Sequence, residues 1–363
     1  MCFLFKLSSI LLLAGVYADS VEYFPAYGIV GENPLGNLDD LDSVVRDESS
    51  LNALSGQSLN LMSQKTCSRS LLTRGREDVK FMLYNKNYPF GFDISDDLGE
   101  GKLLPRTPIK FLIHGFLNGK NSEMEKTVKD AYMARSEDYN VIAVDWTKGS
   151  GRWISDSYDC LVTARVTSKV ADAVASFIFD LLSRQGVNIL YVNVIGHGLG
   201  AQIAGVAGKK LRQLGQTLPI IVGLDPVLPG FRDVSPMDRL SFTDAEYVEV
   251  IHSSPGDLGF ETPIGTADFY PNYNMQRGNR QPGCSMPACS HARAFELFAE
   301  SIMNPTAFEA KKCSNYEALK QGECRENTRS VYMGGNDMRV GKQSGVFKIE
   351  TNNYSPYGKS FRM

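Results

Sequence analysis

Nowhere in its 363 residues does the chain carry an apolar run of the roughly 20 residues that a membrane-spanning helix requires. Positive charge is not in surplus either. The 38 Lys and Arg against 41 Asp and Glu leave a formal net charge of −3, with no dense basic cluster. That balance argues against nucleic acid as a partner. Internal repeats and low-complexity tracts are missing, so solenoids and repetitive matrix proteins are not expected. No histidine stands at ligand spacing from two cysteines, so no metal site is expected.

What is present begins at the N-terminus. Lys6 precedes the run Leu7 to Val16, broken only by Ser8 and Ser9, and Val16-Tyr17-Ala18 places small residues before Asp19. This pattern predicts a signal peptide over residues 1–18 and a secreted, extracellular protein. Removing Cys2 with it leaves Cys67, Cys160, Cys284, Cys289, Cys313 and Cys324. An even number in an exported chain predicts disulfides, although six cysteines allow 15 connectivities. The close spacings suggest Cys284 with Cys289 and Cys313 with Cys324, leaving Cys67 with Cys160.

Residues 19–66 hold eight acidic residues against Arg46 and Lys65, with scattered Gly, Ser, Asn and Pro. That composition predicts a poorly ordered acidic extension ahead of one domain over residues 67–363. Within the domain, apolar runs alternate with helical patterns. Ile109 to Ile113, Val141 to Val144, Ile189 to Ile195, Ile220 to Leu224 and Val248 to Ile251 read as strands. Val162 to Leu182, with Gly186 as a stop, and Ala201 to Leu214 read as helices. Strands buried on both faces with crossover helices predict an α/β fold with a mostly parallel sheet and helices on both faces.

Chemistry should concentrate after the third of these strands. Tyr191 to Ile195 runs into Gly196-His197-Gly198-Leu199-Gly200 and then a helix. A glycine-rich turn there is compatible with a plain loop or a phosphate-binding turn. A dinucleotide fingerprint would need a third glycine at 201, where Ala201 stands, so no cofactor is expected. The same context suits a nucleophile elbow of the form G-x-S-x-G, but with glycine at the central position.

The stretch Gly196 to Gly205, the segment Gly223-Leu224-Asp225-Pro226, the run Ala267-Asp268-Phe269-Tyr270-Pro271-Asn272, and Cys289-Ser290-His291-Ala292-Arg293 together resemble the pancreatic lipase family. The resemblance implies an α/β-hydrolase fold. It places Gly198 at the nucleophile position without its serine, Asp225 as the triad acid and His291 as the general base. It assigns the oxyanion N–H groups to Phe116, in His114-Gly115-Phe116, and to Leu199. His197 and His252 are expected to be structural.

Only four residues separate Cys284 from Cys289, where triacylglycerol lipases of the family carry a lid. A minimal lid resembles the A1-type phospholipases of insects. After the predicted strand Val346 to Glu350 no room remains for a C-terminal β-sandwich, so no colipase partner is expected. Without a hydroxyl at 198 the acyl-enzyme route is closed, a loss on the order of a millionfold in turnover. The leading expectation is therefore a catalytically silent protein that binds a lipid or phospholipid ligand, for transport or for storage in the manner of the serine-less fly yolk proteins. The alternative is a weak or active carboxylic ester hydrolase that uses Asp225 and His291. A contact with lipid surfaces fits either. Asn353-Tyr354-Ser355 is the acceptable glycosylation sequon.

Overall fold

The computed structural model describes residues 76–116, 118, 119, 122–150, 166–274, 279–325, 329–335 and 343–359. The expected signal peptide, the acidic extension, Cys67 and Cys160 lie outside the described residues.

The sheet grows from the apolar runs. β1 (Lys80–Asn85), β2 (Tyr88–Asp93), β3 (Ile109–Ile113), β4 (Asn140–Asp145), β5 (Val192–His197), β6 (Ile220–Leu224), β7 (Tyr247–Ile251), β8 (Ala267–Pro271), β9 (Glu309–Cys313), β10 (Cys324–Arg325), β11 (Val331–Tyr332) and β12 (Gly345–Ile349) follow in chain order. Their spatial order is β10-β9-β12-β8-β7-β6-β5-β3-β4-β1-β2, with β11 beside β9. From β4 through β3, β5, β6, β7 and β8 to β12, neighbours pair in parallel. The flanks, β1 and β2 on one side and β9, β10 and β11 on the other, are antiparallel. This is the α/β-hydrolase arrangement.

Period-two alternation divides each central strand between two cores. Phe111, Ile113, Val194, Ile221 and Val248 join one cluster with α2 (Val166–Gln185) and α3 (Leu199–Gln213). Leu112, Ile195, Val222 and Ile251 join the other with α1 (Glu123–Met133) and α4 (Pro287–Met303). A short α5 (Tyr316–Gln321) packs near β12. Helices thus cover both faces, and every residue of β3, β5, β6 and β7 is buried.

One boundary differs from the sequence pattern. Ile189–Tyr191 form a single 3-10 turn rather than the start of β5. Asn188 causes it, its side-chain oxygen accepting from Leu190 N at 3.0 Å. Leu190 then points to solvent, so an apolar residue there does not mark a buried strand.

Disulfides join Cys284 to Cys289 and Cys313 to Cys324. Among the described residues no helix is long and apolar enough to cross a membrane, and no cluster of three His, Cys, Asp or Glu side chains could hold a metal ion.

Candidate functional site

The carboxyl ends of β5, β6 and β7 meet at one place, where ligands of open parallel sheets ordinarily bind. β5 ends at His197, and the chain turns through Gly198 into α3. The turn is too tight for side chains. A Cβ on Gly196 would stand 2.2 Å from the carbonyl oxygen of Gly200, and one on Gly200 would stand 2.1 Å from that of Ile113. Gly198 itself holds φ 57° and ψ −114°, the strained geometry of a nucleophile elbow. The tight turn is therefore built around a residue without a side chain.

Asp225 follows β6 directly and is completely buried. Its backbone takes a left-handed φ of 45°, uncommon for a residue other than glycine and frequent at functional sites. Its Oδ1 accepts from the backbone N–H groups of Ser253 at 2.7 Å and Ser254 at 2.9 Å, just beyond β7. Its Oδ2 accepts from the Ser254 hydroxyl and from His291 Nδ1, the latter at 2.5 Å. Burial works to raise the Asp225 carboxyl. The bond from His291, its charge and the Ser254 donors outweigh that and hold the carboxyl below its ordinary range.

His291 lies in the first turns of α4, two residues after the Cys284–Cys289 bridge. Ser290 Oγ accepts from Gln281 N at 2.9 Å, which docks the incoming loop on the helix. Gln281 Nε2 in turn donates to the carbonyls of Ser253 at 3.0 Å and Pro271 at 2.8 Å. The loop leading into the helix of His291 is thus tied to the ends of β7 and β8. With Nδ1 engaged by Asp225, the imidazole presents Nε2 to residue 198: a Cβ built there would lie only 2.8 Å from it. The His291 side chain is 13% exposed, enough for a small group to reach it.

The remaining histidines have other partners. His197 packs beneath His291, ring centroids 4.3 Å apart, and also meets Phe295 edge-on. Burial, reinforced by the His291 ring, depresses it to about 3. Burial likewise lowers His114 to about 4. His114 Nε2 accepts from Trp146 N at 3.2 Å, and its carbonyl accepts from the Trp146 indole at 2.9 Å, which locks the turn carrying Gly115 and Phe116 onto the end of β4. His252 faces the Phe260 carbonyl and Asp268, each at 2.8 Å, and stacks on Tyr270.

Of the residues singled out from sequence, Gly198, Asp225 and His291 converge. Leu199 opens α3 beside them, and Phe116 is half-buried on the turn after β3. Asn353 is exposed near the end of the described chain. Sequence reasoning passed over Ser253, Ser254 and Gln281. The run His252-Ser253-Ser254 after an apolar strand was the available signal.

Comparison with known proteins gives a consistent result. A family model described as Lipase matches residues 52–357. Probable phospholipase A1 magnifin of Vespa magnifica is 35% identical over 244 residues, covering 62% of this chain and 69% of that protein. Phospholipase A1 3 of Polistes dominula is 35% identical over 297 residues, covering 78% and 91% respectively. Lipase member H of Oryctolagus cuniculus is 33% identical over 260 residues, covering 68% and 54%.

Proposed function

The chain belongs to the lipase family, and from that membership we propose that it is a secreted, lipid-binding member that does not hydrolyse esters by the serine mechanism. One observation carries the proposal. The place of the nucleophile is taken by Gly198, with His291 Nε2 leaning into the space its side chain would need. No covalent acyl intermediate is possible without an oxygen at that position. Asp225 and His291 keep the roles of acid and base in form, and the N–H groups of Leu199 and Phe116 those of oxyanion donors. What they bind is an acyl lipid or phospholipid, for carriage or storage. Relatives whose names include phospholipase A1 support that ligand class. The N-terminal pattern and two formed disulfides support secretion, and exposed Asn353 supports glycosylation there.

A second reading has its own observation. The 2.5 Å bond from His291 to an Asp225 held by three further donors is the arrangement of a working general base. Such a dyad would hydrolyse an ester slowly by activating water.

The deciding experiment compares the natural protein with Gly198→Ser for fatty-acid release from phosphatidylcholine and from short-chain esters. Turnover in the variant alone is expected. Turnover in the natural protein would replace the first reading with the second.

A further inference from the structure

Glu125, in the first turn of α1, is only 2% exposed, and neither of its carboxyl oxygens has a hydrogen-bond partner among the described residues. The local geometry explains why. Ser122 caps the helix, its Oγ accepting from Glu125 N at 3.2 Å. In a capping box the glutamate three residues on would accept in return from the Ser122 N–H. That N–H already donates to the Gly119 carbonyl at 2.8 Å. The carboxyl is left buried, in the field of Asp145 at the end of β4 and close enough to Tyr84 on β1 to act on its hydroxyl.

The charged groups on the elements around it are engaged elsewhere. Lys129, one turn along α1, pairs with Asp130 and lies over the Tyr84 ring. Lys110 of β3 lies over the rings of Tyr132 and Tyr139. His114, after β3, is kept neutral by burial. On α4, Arg293 pairs with Glu296 at 2.8 Å, and Glu300 accepts from the N–H groups of Tyr357 and Gly358, each at 2.7 Å. An ionised Glu125 would therefore have neither donor nor counter-ion. Burial, with the Asp145 charge, raises the carboxyl well above its ordinary range.

We propose that Glu125 is a pH-sensitive catch on the first turn of α1, which seats on the sheet while the carboxyl is protonated and must lift to ionise it. The O–H bond breaks, the proton passes to solvent, and water supplies the donors that the buried carboxylate lacks. The catch reaches the turn that carries Phe116. That turn joins α1 through the bond from Ser122 N to Gly119, and its Asn118 carbonyl accepts from Ser150 Oγ at 2.7 Å. Lifting the helix frees it on one side, whatever the neighbouring site binds. An exposed glutamate releases its proton near 4.5, while the seated one keeps it to higher pH. Between those two points lifting releases one proton. The seated turn is fully favoured below 4.5 and loses about tenfold in its equilibrium for each pH unit above. The loss ends where the seated carboxyl itself ionises.

Amide hydrogen exchange of the whole protein tests the catch, read as protection factors so that the intrinsic pH dependence of exchange cancels. From about pH 5 to 7 the amides of residues 125–128 should lose about a hundredfold in protection. In Glu125→Gln, which cannot ionise, their protection should stay level. The amides of α2, on the opposite face of the sheet, should not follow in either protein. In Asp145→Asn the loss should level off at a lower pH, because the seated carboxylate is less repelled. A level profile in the natural protein would overturn the proposal, as would an equal loss in Glu125→Gln. An equal loss across α2 would overturn it too, since the opening would then be global. Should Glu125→Gln fail to fold, Asp145→Asn decides: a levelling point that does not move would overturn the catch.

Discussion

His197 donates from Nε2 to the backbone carbonyl of His291 at 3.1 Å, so the ring beneath the site also holds the site's own helix in place. That bond needs only the neutral ring, and burial keeps it neutral down to about pH 3. The unfolded chain takes up a proton at this residue below about 6.5. Its contribution to stability is therefore complete above 6.5 and is lost as pH falls toward 3. His114, at about 4, behaves alike. Each adds about 1.4 kcal/mol per pH unit to the slope below 6.5. Urea midpoints from pH 7 to 5 should show it, and His197→Gln, which keeps a donor, should remove one share. An unchanged slope in the variant would show that His197 does not titrate on unfolding.

Glu249 acts with the opposite sign. It is wholly buried on β7, its Oε1 accepting from Gly334 N at 2.7 Å and its Oε2 from Tyr247 Oη at 3.0 Å. Burial raises the carboxyl to about 7 even though both bonds work to lower it. The folded state keeps a proton that the unfolded chain releases above about 4.5. Stability from this group is full below 4.5 and lost as pH rises through 7. Relative to the natural protein, Glu249→Gln should gain about 2.5 kcal/mol on moving from pH 5 to pH 8.5. Chemical denaturation at the two values measures it. A constant difference would mean that Glu249 is ionised across the range.

The parts of this fold that were legible in the sequence are those buried on both sides. Ile220–Leu224 is apolar throughout, and Ile109–Ile113 is apolar but for Lys110, because helices cover both faces, so their composition alone marks them. The flanking strands carry no such mark. Glu309–Cys313, Glu-Ala-Lys-Lys-Cys, buries only Ala310 and Cys313, and its place depends on antiparallel pairing with β12. Helix α1 is rich in charge and buries one stripe against α4, a pattern too polar to stand out. In the site, Asp225 and His291 are 66 positions apart, and each alone is an ordinary residue. Only the order of motifs linked them. Ser254 was invisible for a plainer reason: its hydroxyl meets Asp225 only because β6 and β7 are neighbours.

The elbow glycines should not tolerate a methyl group, and the cause is contact rather than backbone freedom. A Cβ at Gly196 or Gly200 meets backbone oxygen at 2.2 or 2.1 Å, and neither β3 nor α3 has slack to move. Gly215, at φ 78°, has nothing within 4 Å of its would-be Cβ. Gly215→Ala should cost about 1–2 kcal/mol, the strain of the left-handed backbone. Gly196→Ala or Gly200→Ala should cost well above about 3 kcal/mol or prevent folding. Denaturation of the three purified variants, or their soluble yield, tests the ranking. Equal losses at 200 and 215 would show that the elbow relaxes.

Ser254 positions the Asp225–His291 pair without touching any ligand. Its hydroxyl donates to Asp225 Oδ2 and accepts from Gly259 N at 3.0 Å, so it holds the carboxylate plane that orients the imidazole. Removing a hydrogen bond to a buried charge costs about 1.5–3 kcal/mol. In a Gly198→Ser background, Ser254→Ala should therefore lower kcat by about tenfold or more while KM changes little, because the loss falls on the base and not on substrate contacts. Ser254→Thr, which keeps the hydroxyl, should recover most of the rate. A merely structural role would instead show as a lower Tm with kcat preserved at temperatures where the variant is folded. That result, or a failure of threonine to rescue while the protein stays folded, would remove Ser254 from the positioning of His291.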